Sequence, residues 1–347
     1  MSFTFGTALK MHIFGESHGK NICAIVEGFP SGIGIIPEKI QLELDKRKPG
    51  QSLLVTQRQE QDSLEILSGI SEGKSTGAPI TLAIRNEDII SAHYNEFRAV
   101  PRPGHADFTA SVKFGSSASL NGGGIFSGRM TAALVMGGAL SRQLPKMKGI
   151  SVKARLISIG HLKTVNNGEL TGGIRQHILK LRKEGDSVGG IIECTIDGVP
   201  AGIGEPFFDS IESVLSHAMF SIPAVKGIEF GSGFKCASMK GSEHNDAFAF
   251  KMGKIVTKTN NSGGILGGIS NGMPVVFRIA IKPASSIAKK QETLNIQTME
   301  ETTLQVKGRH DPCIAIRAVP VVENLAAFVI ADLMLRSGGG KRAQITP

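Results

Sequence analysis

The sequence predicts an α/β protein made of two related units that pack about a pseudo-two-fold axis and share one hydrophobic core. A shift of 170 residues aligns the chain on itself, so that GESHG at 15–19 falls on GDSVG at 185–189. After an apolar run, EGFPSGIG at 27–34 falls on DGVPAGIG at 197–204 without a gap. Each unit is therefore predicted to run strand, Pro-Gly turn, helix, strands and helix, with antiparallel or mixed sheets packed against long buried helices.

The elements of these units can be assigned from periodicity. Alternating apolar residues at 191–196 indicate a strand, and apolar residues recur at helical spacing over 208–219. The small apolar runs 130–144 and 324–335 predict the long buried helices that close the two units. The polar segment 283–307 is predicted to be a long surface loop that acts as a lid over a ligand.

A weaker match extends the repeat and needs a gap. GISEG at 69–73 resembles GISNG at 268–272, and each is followed by a Pro-containing step into an apolar strand. Because both units would bury their apolar faces in one core, we predict a single domain, 1–347, with pseudo-repeats at about 1–150 and about 151–347.

The composition fits an enzyme in solution. With 347 residues and 41% hydrophobic content the chain can bury a large core. It shows neither a signal peptide nor an apolar stretch near the ~18 residues of a membrane span, so we expect a cytoplasmic protein without a membrane partner. The four cysteines have no CxxC spacing, which indicates neither a disulfide framework nor a zinc site, and no metal is expected.

The charge balance favours an acidic small molecule as partner. Lysine and arginine number 39 against 30 acidic residues, which gives a net charge of +9. A basic nucleic-acid-binding protein is one alternative, but aromatic residues make up only 5% of the chain and leave little for base stacking. No nucleic-acid partner is therefore expected.

Three polar runs carry a histidine on glycine-broken backbone: GESHG at 15–19, RPGHAD at 102–107 and GRHDP at 308–312. Side chains in such loops can reach a ligand, so the three runs predict one assembled active site. His18 stands opposite Val188 in the repeat, a difference that no turn geometry requires. Such a histidine suits a proton donor or phosphate ligand; divergence that left a structural histidine is the alternative.

Ser17 formally meets the GxSxG pattern of a serine hydrolase. The same pattern returns as GDSVG at 185–189 without a histidine, which favours a turn of the fold over a nucleophile elbow. The serine hydrolase stays an alternative at this stage.

Basic side chains near these runs predict an anion site. Arg102 offers a guanidinium fork for phosphate or carboxylate beside His105, although a surface arginine with a structural histidine would give the same pattern. Arg47 and Arg58 extend the basic set.

Glycine-rich runs add to the predicted anion site. NGGGIFSGRMTA at 121–132 places three glycines before an apolar helix, where backbone N–H groups favour anions and where small residues also allow close packing. The run at 259–272 matches neither a P-loop nor a Rossmann fingerprint. Residues 282–286 and 309–311 supply hydroxyl and charged groups that suit a phosphorylated cofactor.

These motifs resemble those of the chorismate synthase family over nearly the whole chain. The resemblance rests on GESHG, RPGHADFT, GGG-x-x-S-x-R-x-TA, EGDSVGG, PAGIGEPFFD, SIPAVKGIEFG, NNSGGILGGISNG, KPASSI and GRHDPCIAIRAVPVVE. It implies a β-α-β sandwich and a lyase of the shikimate pathway that converts 5-enolpyruvylshikimate 3-phosphate to chorismate and phosphate. The implied reaction is a trans-1,4 elimination that requires reduced FMN without net redox change.

The resemblance also implies roles for single residues. It makes His18 the proton donor to the leaving phosphate, His105 the proton donor to the reduced flavin, and Asp311 the base that relays a proton at the flavin. The implied substrate-binding residues are Ser17, Arg47, Arg102, Ser127, Arg129 and Arg309. The implied FMN-binding residues are Ser127, Pro223, Ala224, Gly267, Lys282, Pro283, Ala284, Ser285, Ser286 and Arg309.

The chain departs from the family pattern at two places. Ile125-Phe126 follows the triple glycine where many members have Arg-Ser, and Leu53 stands at a commonly basic position. The chain also lacks the long insertion expected of a member that reduces its own flavin. The resemblance therefore implies an external flavin reductase or another source of reduced FMN, and it associates the chain with NADP and a homotetramer.

Overall fold

The computed structural model describes residues 3–87, 95–308 and 310–337. The helices are α1 (Pro37–Arg47), α2 (Asp107–Phe114), α3 (Thr131–Ser141), α4 (Gln143–Met147), α5 (Gly172–Lys183), α6 (Ile211–Phe220), α7 (Gly241–His244) and α8 (Ala315–Arg336). The strands of the first half are β1 (Thr4–Phe5), β2 (Lys10–Gly15), β3 (Asn21–Glu27), β4 (Glu65–Ser68), β5 (Ile70–Ser71), β6 (Lys74–Ser75) and β7 (Ile80–Arg85). Those of the second half are β8 (Ser151–Ile159), β9 (Leu162–Lys163), β10 (Gly190–Asp197), β11 (Val225–Phe230), β12 (Phe248–Lys251), β13 (Lys254–Thr257), β14 (Ile265–Leu266), β15 (Ile269–Ser270), β16 (Val275–Ile281), β17 (Lys290–Asn295) and β18 (Glu300–Gln305).

Two five-stranded antiparallel sheets form the outer layers. The first has the order β1-β2-β3-β7-β4, and the second has the order β9-β8-β10-β16-β11. When both sheets are read from the same edge, four strands of the first sheet have counterparts in the second. β2 corresponds to β8, β3 to β10, β7 to β16 and β4 to β11. The predicted fold class is confirmed, and the sheets are antiparallel.

Helices fill the space between the sheets. α3 packs on β2, β3 and β7 of the first sheet, α8 packs on β8 and β10 of the second, and the two helices pack on each other. Gly138 of α3 permits this approach, because a Cβ there would lie 2.5 Å from the carbonyl oxygen of Asn324 in α8. One continuous cluster of buried apolar side chains includes residues of both halves.

The Pro-Gly turns of the repeat are closed by the same hydrogen bonds. Ser75 Oγ donates to the carbonyl of Pro30 at 2.6 Å, and Ser270 Oγ donates to the carbonyl of Pro200 at 2.6 Å. Each hydroxyl also accepts a backbone N–H three residues beyond its proline. The two serines, 195 positions apart, are therefore equivalent in the fold.

This equivalence corrects the gapped alignment. The hairpins β5–β6 and β14–β15 are offset by the same 195 positions. The run 69–73 therefore corresponds to 264–268, and its match to 268–272 was wrong by four residues. The halves also differ in how their strands are joined, since a tight turn links β2 to β3 whereas α5 stands between β8 and β10.

The predicted helices and strand are present with shifted ends. The run 130–144 covers α3 and the start of α4, and 208–219 overlaps α6, which ends one residue later. The run 324–335 lies inside the longer α8, and 191–196 lies inside β10. The prediction of a loop at 283–307 was wrong, because the segment contains the hairpin β17–β18. Its strands are polar and largely exposed, which removes the alternation that identifies a strand.

Helix α8 is long and apolar enough to span a membrane, with a mean hydropathy of 1.8 over eighteen residues. The expectation that no stretch approaches this length was therefore wrong. However, 72% of that window is buried inside the protein, where α8 packs on α3 and on the second sheet. In this fold it is a core helix.

Candidate active site

A cavity of about 1140 Å³ lies where the two halves meet. Its volume lies just above the roughly 300–1,000 Å³ typical of small-molecule pockets. The predicted residues that line it are His18, Arg47, Arg102, His105, Ser127, Arg129, Pro223, Ala224, Lys282, Pro283, Ala284, Ser285, Ser286 and Asp311.

Two of the predicted site residues that the structure describes do not line the cavity, and a third prediction lies outside the described residues. Ser17 is fully buried behind it, and its backbone N–H donates to the carbonyl of Gly124 at 3.3 Å. Gly267 lies in the turn of the hairpin β14–β15. Arg309 falls outside the described residues, although Gly308 and His310 on either side line the cavity.

His18 lies on the tight turn after β2. Asn86 fixes this turn by donating from Nδ2 to the carbonyls of Glu16 and Gly19, at 3.0 and 2.7 Å. The imidazole packs directly on Gly122, whose backbone is left-handed with φ of +61°. Burial, and after it the charge of Arg58, lowers the pKa of His18, so the free site holds it mainly as the neutral base.

Arg102 is held inside its own loop. Its Nε and Nη2 donate to the two carboxylate oxygens of Asp107, each at 2.7 Å, and its guanidinium lies 4.5 Å from the centre of the Phe97 ring. The fork predicted to receive the substrate is thus engaged by Asp107. The contacts of Arg102 shape the loop that carries His105.

His105 joins the two halves. Its Nδ1 is 3.0 Å from the carbonyl of Pro103, and its Nε2 is 2.7 Å from Ser286 Oγ. In the neutral tautomer that donates to Pro103, Nε2 accepts from the serine. Burial, and after it the charge of Arg102, lowers the pKa of His105. The imidazole is therefore held neutral in the free site.

The loop at 282–286 is bound to the His105 loop at a second point. Ser285 Oγ donates to the carbonyl of Gly104 at 2.9 Å, and Lys282 Nζ donates to the same oxygen at 3.3 Å. A Cβ at Gly104 would lie 2.8 Å from Ser285 Oγ, so a glycine is needed for this approach. The two loops interlock to form one wall of the cavity.

Buried arginines and acids form another wall. Asp62 bridges two arginines: its Oδ2 accepts from Arg47 Nη1 at 2.9 Å, and its Oδ1 accepts from Arg129 Nη1. Glu60 contacts Arg58 at 2.5 Å and Arg129 at 3.6 Å. Neither acid was predicted from the sequence, because charges within a polar run resemble a solvated surface.

Asp311 has a different partner from the one that its neighbours in sequence suggest. Its Oδ2 is 3.1 Å from Nη1 of Arg317, in the first turn of α8, and Arg317 Nε donates to the carbonyl of Arg47 at 3.0 Å. His310 instead lies 2.9 Å from the carbonyl of Val306. Arg317 therefore fixes Asp311 against the first half and is a further site residue that the sequence analysis missed.

No group of three or more potential metal ligands occurs in the described ranges. The cationic and hydroxyl groups of the cavity instead suit anionic oxygen.

Residues 9–335 match the family described as chorismate synthase. The chain belongs to the chorismate synthase family. It is 48% identical to a chorismate synthase of Korarchaeum cryptofilum, which covers 97% of this chain and 98% of the relative. It is 46% identical to one of Methanosarcina barkeri, with 96% of each covered. A crystal structure of chorismate synthase has a TM-score of 0.75 and 29% identity, and the match covers 96% of this chain and 94% of that one.

As a chorismate synthase the chain is a lyase of the shikimate pathway that forms chorismate for aromatic amino acid biosynthesis, and its family uses reduced flavin. The serine hydrolase and nucleic-acid alternatives are not supported. Ser17 is buried, whereas a nucleophile elbow exposes its serine.

The two departures from the family pattern lie in different parts of the structure. Ile125 and Phe126 line the cavity of this chorismate synthase, so they present apolar surface to a ligand. Leu53 is 61% exposed, and its carbonyl accepts from Nη1 of Arg182 at 2.8 Å.

Proposed function

We propose that this cavity binds 5-enolpyruvylshikimate 3-phosphate together with reduced FMN and releases chorismate and phosphate by trans-1,4 elimination. The observation that carries the proposal is the convergence of His18, His105 and Asp311 with buried arginines in one cavity formed by both halves.

The proposed substrate region is the arginine wall. Arg47, Arg129 and Arg58 are fixed by buried acids, so their charges are in place before the anionic substrate arrives. His18 is the proposed donor of a proton to the leaving phosphate. Its pKa is lowered in the free site, and a phosphate dianion beside the imidazole would raise that pKa and favour the protonated form.

The residues of the wall formed by the 282–286 loop and its neighbours fit a flavin. Lys282, Ser285 and Ser286 offer an ammonium group and hydroxyls, while Pro223 and Ala224 offer apolar surface. The bound reduced flavin would supply electron density that is returned by the end of the reaction. Ser127 and Arg309 complete the proposed FMN-binding residues. Gly267 is not included, because it does not line the cavity.

Two side chains of this chain would move protons at the flavin end of the cavity. His105 is the proposed proton donor there; in the free site it is neutral and its Nε2 is in contact with Ser286 Oγ. Asp311 is the proposed base, and Arg317 holds its carboxylate toward the first half. Arg102 and Ser17 contribute by fixing the loops that carry the two histidines.

We further propose a cytoplasmic homotetramer that receives reduced FMN from a separate flavin reductase. The hairpin β12–β13 supports the subunit contact, since Phe248 and Phe250 are 66% and 78% exposed and would be buried by another copy. Light scattering should give four times the chain mass of 36.7 kDa. A monomer across the working concentration range would contradict the tetramer.

The activity test uses purified protein, 5-enolpyruvylshikimate 3-phosphate and chemically reduced FMN without oxygen. We expect chorismate and phosphate in equal amounts, and a loss of roughly 10²–10⁴-fold in turnover for His18→Ala and His105→Ala. His161→Ala is the control, because this exposed histidine lies outside the cavity. Near wild-type turnover in a folded His18 or His105 variant would remove that residue from the mechanism.

A further inference from the structure

Asp62 lies at the centre of the arginine wall and takes no part in the proposed proton transfers. Its side chain is fully buried, and the Arg47 and Arg129 side chains are each only 3% exposed. Its backbone is left-handed with φ of +53°, a conformation that few residues other than glycine, asparagine and aspartate adopt readily. A fully buried carboxylate between two buried cations calls for a physical explanation.

The bridge offsets a repulsion within the cavity wall. Two guanidinium groups close together repel, and burial weakens the screening by water. The pKa of Arg47 is lowered to about 9, first by burial and then by Arg317, with smaller effects of Arg129 and Arg58, whereas Asp62 raises it. Asp62 therefore helps to keep Arg47 charged.

The geometry leaves part of Arg47 available to a ligand. Within the described residues its hydrogen bonds are made by Nε, to Thr131 Oγ1 at 3.2 Å, and by Nη1, to Asp62. Nη2 remains for an anion. Arg129 is held more fully, because Nε donates to Asn86 Oδ1 at 2.9 Å, Nη1 donates to Asp62, and Nη2 donates to the carbonyl of Arg85 at 3.3 Å.

We propose that Asp62 is a positioning residue for substrate binding, whose carboxylate holds Arg47 and Arg129 side by side and charged to receive the anionic groups of the substrate. This inference rests on the proposed assignment of the two arginines to the substrate. It adds a residue that the family resemblance and the glycine-bracketed motifs did not indicate.

The Asp62→Asn variant removes the charge and keeps the size, and asparagine also tolerates the left-handed backbone. We expect the KM for 5-enolpyruvylshikimate 3-phosphate to rise about tenfold or more, the scale of one lost charged hydrogen bond, with a smaller fall in kcat. The Kd of inorganic phosphate, measured by calorimetry without flavin, should rise in parallel.

The pH profile supplies a readout that a loss of folding stability alone would not move. Arg47 is faced by Asp62 and Arg58 from the segment after α1, by Arg129 before α3, and by Arg317 from α8. Since Asp62 raises the pKa of Arg47, its removal should move the alkaline limb of phosphate affinity, measured without flavin, to lower pH.

Glu323→Gln is the matched control. Glu323 is also largely buried in an ion pair, 2.7 Å from Arg142, and it does not line the cavity. We expect this variant to lose stability while its KM, phosphate affinity and alkaline limb stay as in the wild type. Equal effects of the two substitutions would overturn the proposal, as would an unchanged KM and limb in folded Asp62→Asn.

A second variant carries the test if Asp62→Asn does not fold. Asp62→Glu keeps the charge and moves the carboxylate by one methylene, so the limb should stay while the KM rises. Unchanged KM in this variant would then overturn the positioning role. Arg47→Gln separates the assignment of the arginines to the substrate from the positioning role of Asp62. If Arg47→Gln leaves the KM unchanged, the assignment to the substrate fails. If Arg47→Gln raises the KM but the Asp62 variants do not, the positioning role of Asp62 fails.

Discussion

Replacement of Gly122 by alanine tests whether the triple glycine seats His18. A Cβ at Gly122 would overlap Cδ2 and Nε2 of the imidazole, and it would lie 2.9 Å from Cγ. The His18 imidazole would therefore have to move away from the backbone of residue 122. Gly123 provides the matched control, since its backbone is also left-handed, with φ of +83°, but its Cβ would meet only Ser127 Cβ at 3.5 Å.

The two substitutions should lower the free energy of unfolding by similar amounts but differ in their effect on turnover. Alanine in a left-handed conformation costs about 1–2 kcal/mol, so both variants should lose about that much free energy of unfolding in urea. Only Gly122→Ala displaces the proposed general acid, so its turnover should fall by roughly 10²–10⁴-fold. Gly123→Ala should keep turnover within a few-fold of the wild type.

The assay is chorismate formation with reduced FMN in the absence of oxygen, with unfolding measured on the same preparations. Equal turnover in the two folded variants would refute the claim that Gly122 exists to seat His18. The double variant His18→Ala with Gly122→Ala is a further check, because its turnover should be no lower than that of His18→Ala alone.

Asp311→Asn should leave FMN binding intact, measured by flavin fluorescence, and should sharply reduce chorismate formation; lost binding with normal turnover at saturating flavin would make Asp311 a ligand. The pKa of His18, followed by NMR, should lie below its usual 6.5 in the free enzyme and rise when phosphate binds; no change would contradict its contact with the leaving group. Asp332→Ala should lower the free energy of unfolding by about 3 kcal/mol or more, because its carboxylate accepts three backbone N–H groups at 7–9 and pairs with an arginine. Substrate with FMN should protect both 45–60 and 283–307 from hydrogen exchange, and protection confined to one segment would contradict a shared cavity.

The glycine-bracketed runs were informative because they end or join regular elements. Backbone that must turn sharply places glycine and polar residues at fixed positions, and those positions are visible without the fold. His18 of GESHG, the RPGHAD loop, and His310 and Asp311 of GRHDP converge on one cavity because the two halves pack together. The motifs predicted residues that line the cavity, and the tertiary structure determines which of them are in contact.

The residues that were missed share a different property. Glu60, Asp62 and Arg317 are recognisable only through their burial and their partners. In sequence, QRQEQD is a polar run in which charged residues alternate with glutamine, which is typical of a solvated segment. The pairing of Arg102 with Asp107 was missed for the same reason, since a guanidinium fork predicts an anion but not that this anion lies five residues along the chain.

The repeat explains how a nearly symmetric fold carries an asymmetric site. In the first half the turn at 15–19 holds His18 in the cavity. In the second half the equivalent turn binds the loops that build the same cavity: Ser187 Oγ donates to the carbonyl of Ala284 at 2.7 Å, and Val188 N–H donates to the carbonyl of Pro312 at 2.9 Å. One copy of the turn thus bears the proposed acid, while the other fixes the segments that carry Lys282 and Asp311. A histidine in place of Val188 would therefore lie in a turn that holds other loops of the cavity in place. The presence of a histidine in only one of the two turns reflects these different roles.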